Sequence, residues 1–168
     1  RCVNVQPVSI TGRIDTQARE AMRINTTDFM ELIQGQTSGL IKISDFFPVP
    51  SVIPVAKAIG TMKSKDYALF STMPWCGVAT FMVKGKDGWV PITKLADVDR
   101  FFLTMDSVYH DLLEGHRIRA KIRIIGAIRH VKAPFIKEVL WPVLKTGSYD
   151  ALGRFMRKVV MVGCMHFM

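Results

Sequence analysis

Asp45-Phe-Phe-Pro-Val-Pro-Ser-Val-Ile-Pro54 and Met73-Pro-Trp-Cys-Gly-Val-Ala-Thr-Phe-Met-Val-Lys-Gly-Lys-Asp-Gly-Trp-Val-Pro-Ile92 decide how the chain folds. Pro48, Pro50 and Pro54 each fix φ and remove a backbone donor, so Phe46 to Pro54 is predicted as a rigid, extended segment, apolar enough to be buried. A short helix is expected over Val55 to Met62. In the second stretch, Val78, Thr80 and Met82 alternate with Ala79, Phe81 and Val83 at the twofold period of a strand. Lys84 to Gly88 then has hairpin-turn chemistry before Trp89-Val-Pro-Ile92. Cys76 is therefore expected on a tight turn at the mouth of a β-hairpin, close to the proline run.

Outward from this centre the pattern alternates between strand and helix. Cys2 to Ile10 reads as a buried strand closed by Thr11-Gly12-Arg13. Thr27 to Gln36 reads as a helix capped by Thr26 or Thr27, with Phe29, Leu32 and Ile33 facing the core and Gly39 ending it. From Asp97 to Leu113 the helical signal is strongest: Val98, Phe101, Phe102, Met105, Val108, Tyr109, Leu112 and Leu113 form one stripe, with Asp97 as cap and Gly115 beyond the end. Arg117 to Lys132 fits both periods, and the lack of bracketing turn residues favours a helix. Phe135 to Lys158 reads as helical with a break near Pro142 and Gly147, and Val159 to Met168 as a buried strand or helix start.

The chain has 168 residues, is 49% hydrophobic and carries a formal charge of +9, so it can bury a core and suits an anionic partner. Nucleic acid, phosphate-bearing substrates and anionic membrane all fit that sign. Between Glu114 and Glu138 no acidic residue occurs, and Arg117, Arg119, Lys121 and Arg123 lie within this run. It reads either as a solvated basic face or as a surface for anionic head groups or phosphates. Aromatics are not interleaved with the cations, which argues against single-stranded nucleic acid. Three cysteines without a close pair point to a reducing compartment, by default the cytoplasm. No apolar run approaches the roughly 18 residues of a membrane span. The opening Arg1-Cys-Val-Asn4 and the apolar close lead us to expect both ends to be cuts from a longer polypeptide.

The common phosphate-loop, dinucleotide and zinc signatures are missing from the sequence, and His110, His116, His130 and His166 sit in no recognisable hydrolase motif. Cys76 and Cys164 remain as candidate metal ligands; the alternative is that both are small buried hydrophobes.

Five segments in order, Asn4 to Arg13, Asp45 to Ser51, Pro74 to Thr80, Pro91 to Asp99 and Gly163 to Met168, resemble archaeal radical SAM proteins similar to tetraether lipid synthase, a group that also includes pterin-modifying methylases. The resemblance implies an α/β (α+β) architecture. Residues 1–44 would be the last strand and helix of a partial (β/α) radical SAM barrel, and 45–168 a mostly helical C-terminal auxiliary domain with a β-hairpin.

It also implies S-adenosylmethionine and a [4Fe-4S] cluster in the full-length parent, held by an upstream Cys-x3-Cys-x2-Cys motif that this chain lacks, so the fragment alone would be inactive. By the same resemblance Gln6 and Pro7 would border the S-adenosylmethionine pocket, and Cys76, with Cys164 second, would serve an auxiliary iron centre. The resemblance implies a cysteine at the position of Ser51, which would leave that centre one thiolate short. The activity implied is radical C–C bond formation between isoprenoid chains, with pterin methylation as the alternative. A non-enzymatic basic module that binds anionic membrane or nucleic acid is the reading from another class. Partners implied are an apolar lipid substrate, the upstream polypeptide and an anionic membrane surface, with the protein peripheral at its inner face.

Overall fold

The structure, a computed structural model, describes residues 1–8, 10, 12–69, 72–85, 87–132 and 157–165. The helical reading of Phe135 to Met156, and His166, lie outside them.

The described elements run β1 (Cys2–Val5), α1 (Thr16–Met22), α2 (Thr26–Gln36), β2 (Phe47–Pro48), α3 (Ile53–Lys63), β3 (Gly77–Lys84), β4 (Trp89–Pro91), α4 (Val98–Leu113), α5 (Arg117–Ala127) and β5 (Val159–Met165). Short 3₁₀ turns cover Ile43–Asp45, Val49–Val52, Ile92–Lys94 and Ile128–His130. This is the expected mixed α/β architecture. The strand order is β1-β5-β3-β2, with β4 also on β3; β1 runs parallel to β5 and the other pairs are antiparallel. The sheet therefore joins residue 2 to residue 165 through a single hydrogen-bonded surface.

Strand β3 is the axis of that sheet. One side pairs along its length with β5, from Gly77 opposite Met165 to Val83 opposite Val159. On the other side β2 takes its first half, Phe47 opposite Ala79, and β4 its second, Val83 opposite Val90. The hairpin turn forms as its composition predicts: Gly85 N–H donates to the Gly88 carbonyl at 2.8 Å, and Gly88 adopts φ +124°, a conformation that a side chain rarely tolerates. Gly163 is needed for a different reason. A Cβ there would stand 3.0 Å from the Val78 carbonyl oxygen, so only glycine lets β5 close this tightly on β3.

Helices cover both faces. Val78 and Cys164 pack with Phe29 of α2 on one face, flanked by Met30, Ile33, Phe46 and Val162. The opposite side holds Phe81 and Val83 with Val159, Ile92, Leu95 and Val131. Beyond it, α3, α4 and α5 build a second core from Ala58, Met105, Val108 and Ala120. Helix α4 matches its sequence reading, with the Asp97 carboxylate accepting from Arg100 N–H at 3.1 Å.

Several local readings are corrected. The proline run is extended only at Phe47–Pro48; it then turns through a 3₁₀ helix, and Pro54 sits in the first turn of α3, where its missing N–H has no intrahelical acceptor to lose. The first strand is four residues long and exposed rather than buried, because it occupies the sheet edge and Pro7 follows closely. Helix α2 is capped by Asn25, whose side chain accepts from Thr27 and Asp28 N–H while Asp28 accepts from Asn25 N–H. Leu32 is exposed, not core. Leu113, also expected in the core stripe, is exposed at the end of α4. Helix α1 buries no residue and leaves no apolar stripe to read.

Val108, fully buried between the helices, and Leu103, 69% exposed on the same helix, give a direct check on this packing. Val108→Ala should cost about 1.5–3 kcal/mol in urea unfolding, and Leu103→Ala less than about 0.5 kcal/mol. Equal effects would contradict this assignment of the inner and outer faces of α4.

Candidate functional site

Helix α3 leaves the sheet at Ile53 and α4 returns at Val98, so a wedge opens between them and the β3 face that carries Phe81. Phe47 and Phe81 from the sheet, Val55 and Ile59 from α3, and Phe101 and Phe102 from α4 line a cavity of about 430 Å³ there. Its walls are almost wholly apolar. Phe47 sits at the centre, its ring centroid 5.3 Å from that of Phe102 at 71° and 5.9 Å from that of Phe81. The first contact is edge-to-face and the second tilted at 37°, and both fix ring orientation as well as burying area.

A second, polar cleft shares Phe47, Ala96 and Val98 with that cavity and is lined further by the charged side chains of Asp97, Asp99, Arg100, Arg129 and Lys132, with Thr93 and His130. Backbone pairing builds its floor: Asp97 N–H donates to the His130 carbonyl and Lys132 N–H to the Leu95 carbonyl, each at 2.8 Å. Asp45, a buried carboxylate, secures the other wall by accepting from the Thr93 hydroxyl and from Lys42 N–H at 2.8 Å. Arg100 is paired with Asp97 at 3.4 Å, whereas Arg129 and Lys132 make no ion pair among the described residues. An apolar chamber thus adjoins a cleft of mixed charge, where Arg129 and Lys132 stand with Asp97 and Asp99. That arrangement suits a ligand with an apolar body and a strongly polar end. Sequence reasoning passed over this site because its lining comes from five separate segments, whose aromatics each read as ordinary core.

The cysteines lie elsewhere. Cys76 closes a turn, its N–H donating to the Met73 carbonyl at 2.9 Å, and the turn is tied to α2 by the Thr26 hydroxyl donating to the Trp75 carbonyl. The proline run is brought alongside at Val49, whose Cγ2 lies 3.2 Å from where a Gly77 Cβ would stand. Cys164 is 1% exposed in the core beneath α2, opposite Val78, and burial raises its thiol pKa, disfavouring the thiolate that metals require. Among the described residues no group of three His, Cys, Asp or Glu converges as a metal site. The described residues therefore do not by themselves assemble an iron centre, and no chemistry is assigned through one.

Gln6 is exposed and Pro7 half-buried, directly after the edge strand β1. The four expected anion-binding residues divide into two pairs. Arg119 Nε and Arg123 Nε donate to the two oxygens of buried Asp111 at 2.7 and 2.6 Å, and Arg119 also reaches Glu114 at 3.0 Å. Arg117 and Lys121 have no such partner among the described residues. No described helix is long and apolar enough to cross a membrane.

Three chemical tests follow. In the native protein Cys2 and Cys76 should react with a thiol reagent while Cys164 reacts only on unfolding. Because burial raises its pKa in the folded state, the contribution of Cys164 to stability is fully present below the unfolded thiol range and is lost as pH rises from there through the raised folded pKa; Cys164→Ala should flatten this part of the stability profile. Rapid native labelling of all three thiols would contradict the placement of β5. For the turn pair, iron content after reconstitution should be unchanged by Cys76→Ala and raised by Ser51→Cys, with the gain abolished in the double variant.

No protein-family model matches the chain. It is similar to the 7,8-dihydro-6-hydroxymethylpterin dimethyltransferase of Methanocaldococcus jannaschii, with 32% identity over 180 aligned positions. The alignment takes in 100% of this chain and 36% of that protein, so the chain spans about a third of the length of the curated relative it matches.

Proposed function

We propose that the chain is the C-terminal portion of a radical SAM enzyme of the methylase type, and that its own part is to hold the substrate. The observation that carries this is the similarity to a pterin dimethyltransferase along the whole chain. The thiolates of the radical-generating cluster belong to the upstream barrel, which would continue the sheet from the open edge of β1. The exposed β1 residues, with Gln6 and Pro7 just beyond them, suit that junction. A pterin-like ring would stack among Phe47, Phe81 and Phe102, its polar edge toward the cleft.

A second reading, an isoprenoid or similar lipid substrate joined by C–C bond formation, is favoured by one feature. The chamber wall offers no hydrogen-bonding groups of the kind a pterin's donors and acceptors would need.

The full-length polypeptide, reconstituted anaerobically with iron, sulfide, reductant and S-adenosylmethionine, separates these readings. Release of 5′-deoxyadenosine with methyl-group mass increments on a dihydropterin is the expected result. Joined isoprenoid products instead, reduced by Ala56→Phe in the chamber wall, would establish the lipid reading. No S-adenosylmethionine cleavage would leave the non-enzymatic basic module.

A further inference from the structure

Helix α5 is apolar on two opposite sides. Ala120 and Ala127 are buried, and Ile124 packs with the α3–α4 core. Away from that face Ile118, Ile122 and Ile125 are 78%, 64% and 68% exposed. Their spacing, i, i+4 and i+7, places all three on one stripe. Arg117 and Lys121 stand beside the stripe without ion-pair partners among the described residues, and Arg119 and Arg123 lie on its other side, drawn to Asp111. An ordinary surface helix reverses this order, with charge outward and branched aliphatics inward.

We infer that this stripe of α5 docks on an anionic lipid surface, an inference independent of the reaction proposed above. Two features select a membrane over a protein. Three isoleucines make a patch of a few hundred Å², below the roughly 800 Å² per partner of a standard stable interface. Shallow insertion needs only such a stripe: an interfacial helix sinks its apolar side about 5–10 Å into the head-group boundary while flanking cations meet lipid phosphates. The charges agree, since no acidic residue follows Glu114 until Glu138. The ion pairs of Arg119 and Arg123 to Asp111, with Arg119 also reaching Glu114, hold α5 in this orientation and balance those two charges, so the cations left to meet lipid phosphates are Arg117 and Lys121.

Flotation of the full-length protein with equimolar phosphatidylglycerol/phosphatidylcholine vesicles, and with pure phosphatidylcholine vesicles, tests this. Binding should require the anionic lipid and weaken with salt. It should fall by about tenfold or more when the three isoleucines become serine, and similarly with Arg117→Glu and Lys121→Glu together. Leu32→Ser, an exposed leucine on α2, should leave it unchanged. If the serine variant melts early, the charge-reversal pair, whose side chains are exposed, still decides. Equal binding to neutral vesicles, no loss in the charge-reversal variant, or a soluble dimer split by the isoleucine substitutions would overturn the inference.

Discussion

Everything in this molecule depends on β3 being paired along both edges and covered on both faces. A strand in that position has no water to satisfy its backbone, so each N–H and C=O must find another strand. The chain supplies β5 on one edge and splits the other between β2 and β4. That division explains the proline run. Pro48 can pair opposite Val78 because β2 is a short outer strand, and the chain then turns out through Pro50 before α3 begins. The wedge that becomes the apolar chamber results from this early exit.

A second constraint is electrostatic. Asp111 is 3% exposed, and a carboxylate taken that far from water needs partners. It receives two guanidinium groups from α5, one per oxygen, and His116 N–H bonds the Asp111 carbonyl at 2.8 Å to start that helix. The α4–α5 corner is thereby fixed in rotation as well as position. Removing the carboxylate would leave Arg123 unpaired and Arg119 held by Glu114 alone, loosening the rotation that holds Ile118, Ile122 and Ile125 outward.

How much of this could be read from the sequence depended on how local the cause was. The β3–β4 hairpin and α4 were legible because period, turn chemistry and cap lie within one short window. Arg117 to Ala127 was legible as a helix, but its role was not. Four cations without acidic neighbours in sequence read as one basic face, while the acid that takes two of them lies one helix earlier, at Asp111. Leu32 fitted the helical stripe of α2 yet faces outward, since only Phe29, Met30 and Ile33 meet the sheet. The aromatic chamber was invisible for the same reason: Phe47, Phe81 and Phe102 are far apart in sequence and converge only through the β2–β3 pairing and the contact of α4 with it. Asn25 could have been found, since an Asn three residues before an Asp at a helix start is a capping-box pattern.

The two sets of residues that invite a functional reading lie on opposite sides of the sheet. Cys164 faces α2 with Val78, whereas Phe81, one residue out of phase with Val78 and Thr80, faces the α3–α4 chamber. Strand geometry makes this separation unavoidable, since neighbours in a strand point to opposite faces. A substrate in the chamber could not be approached by the Cys164 sulfur without crossing the β3–β5 pairing, which Gly163 draws especially tight. A reactive group acting on that substrate must therefore come from the open side of the chamber or from outside this chain. Such a division suits a module that binds and positions an apolar body while chemistry is delivered from elsewhere.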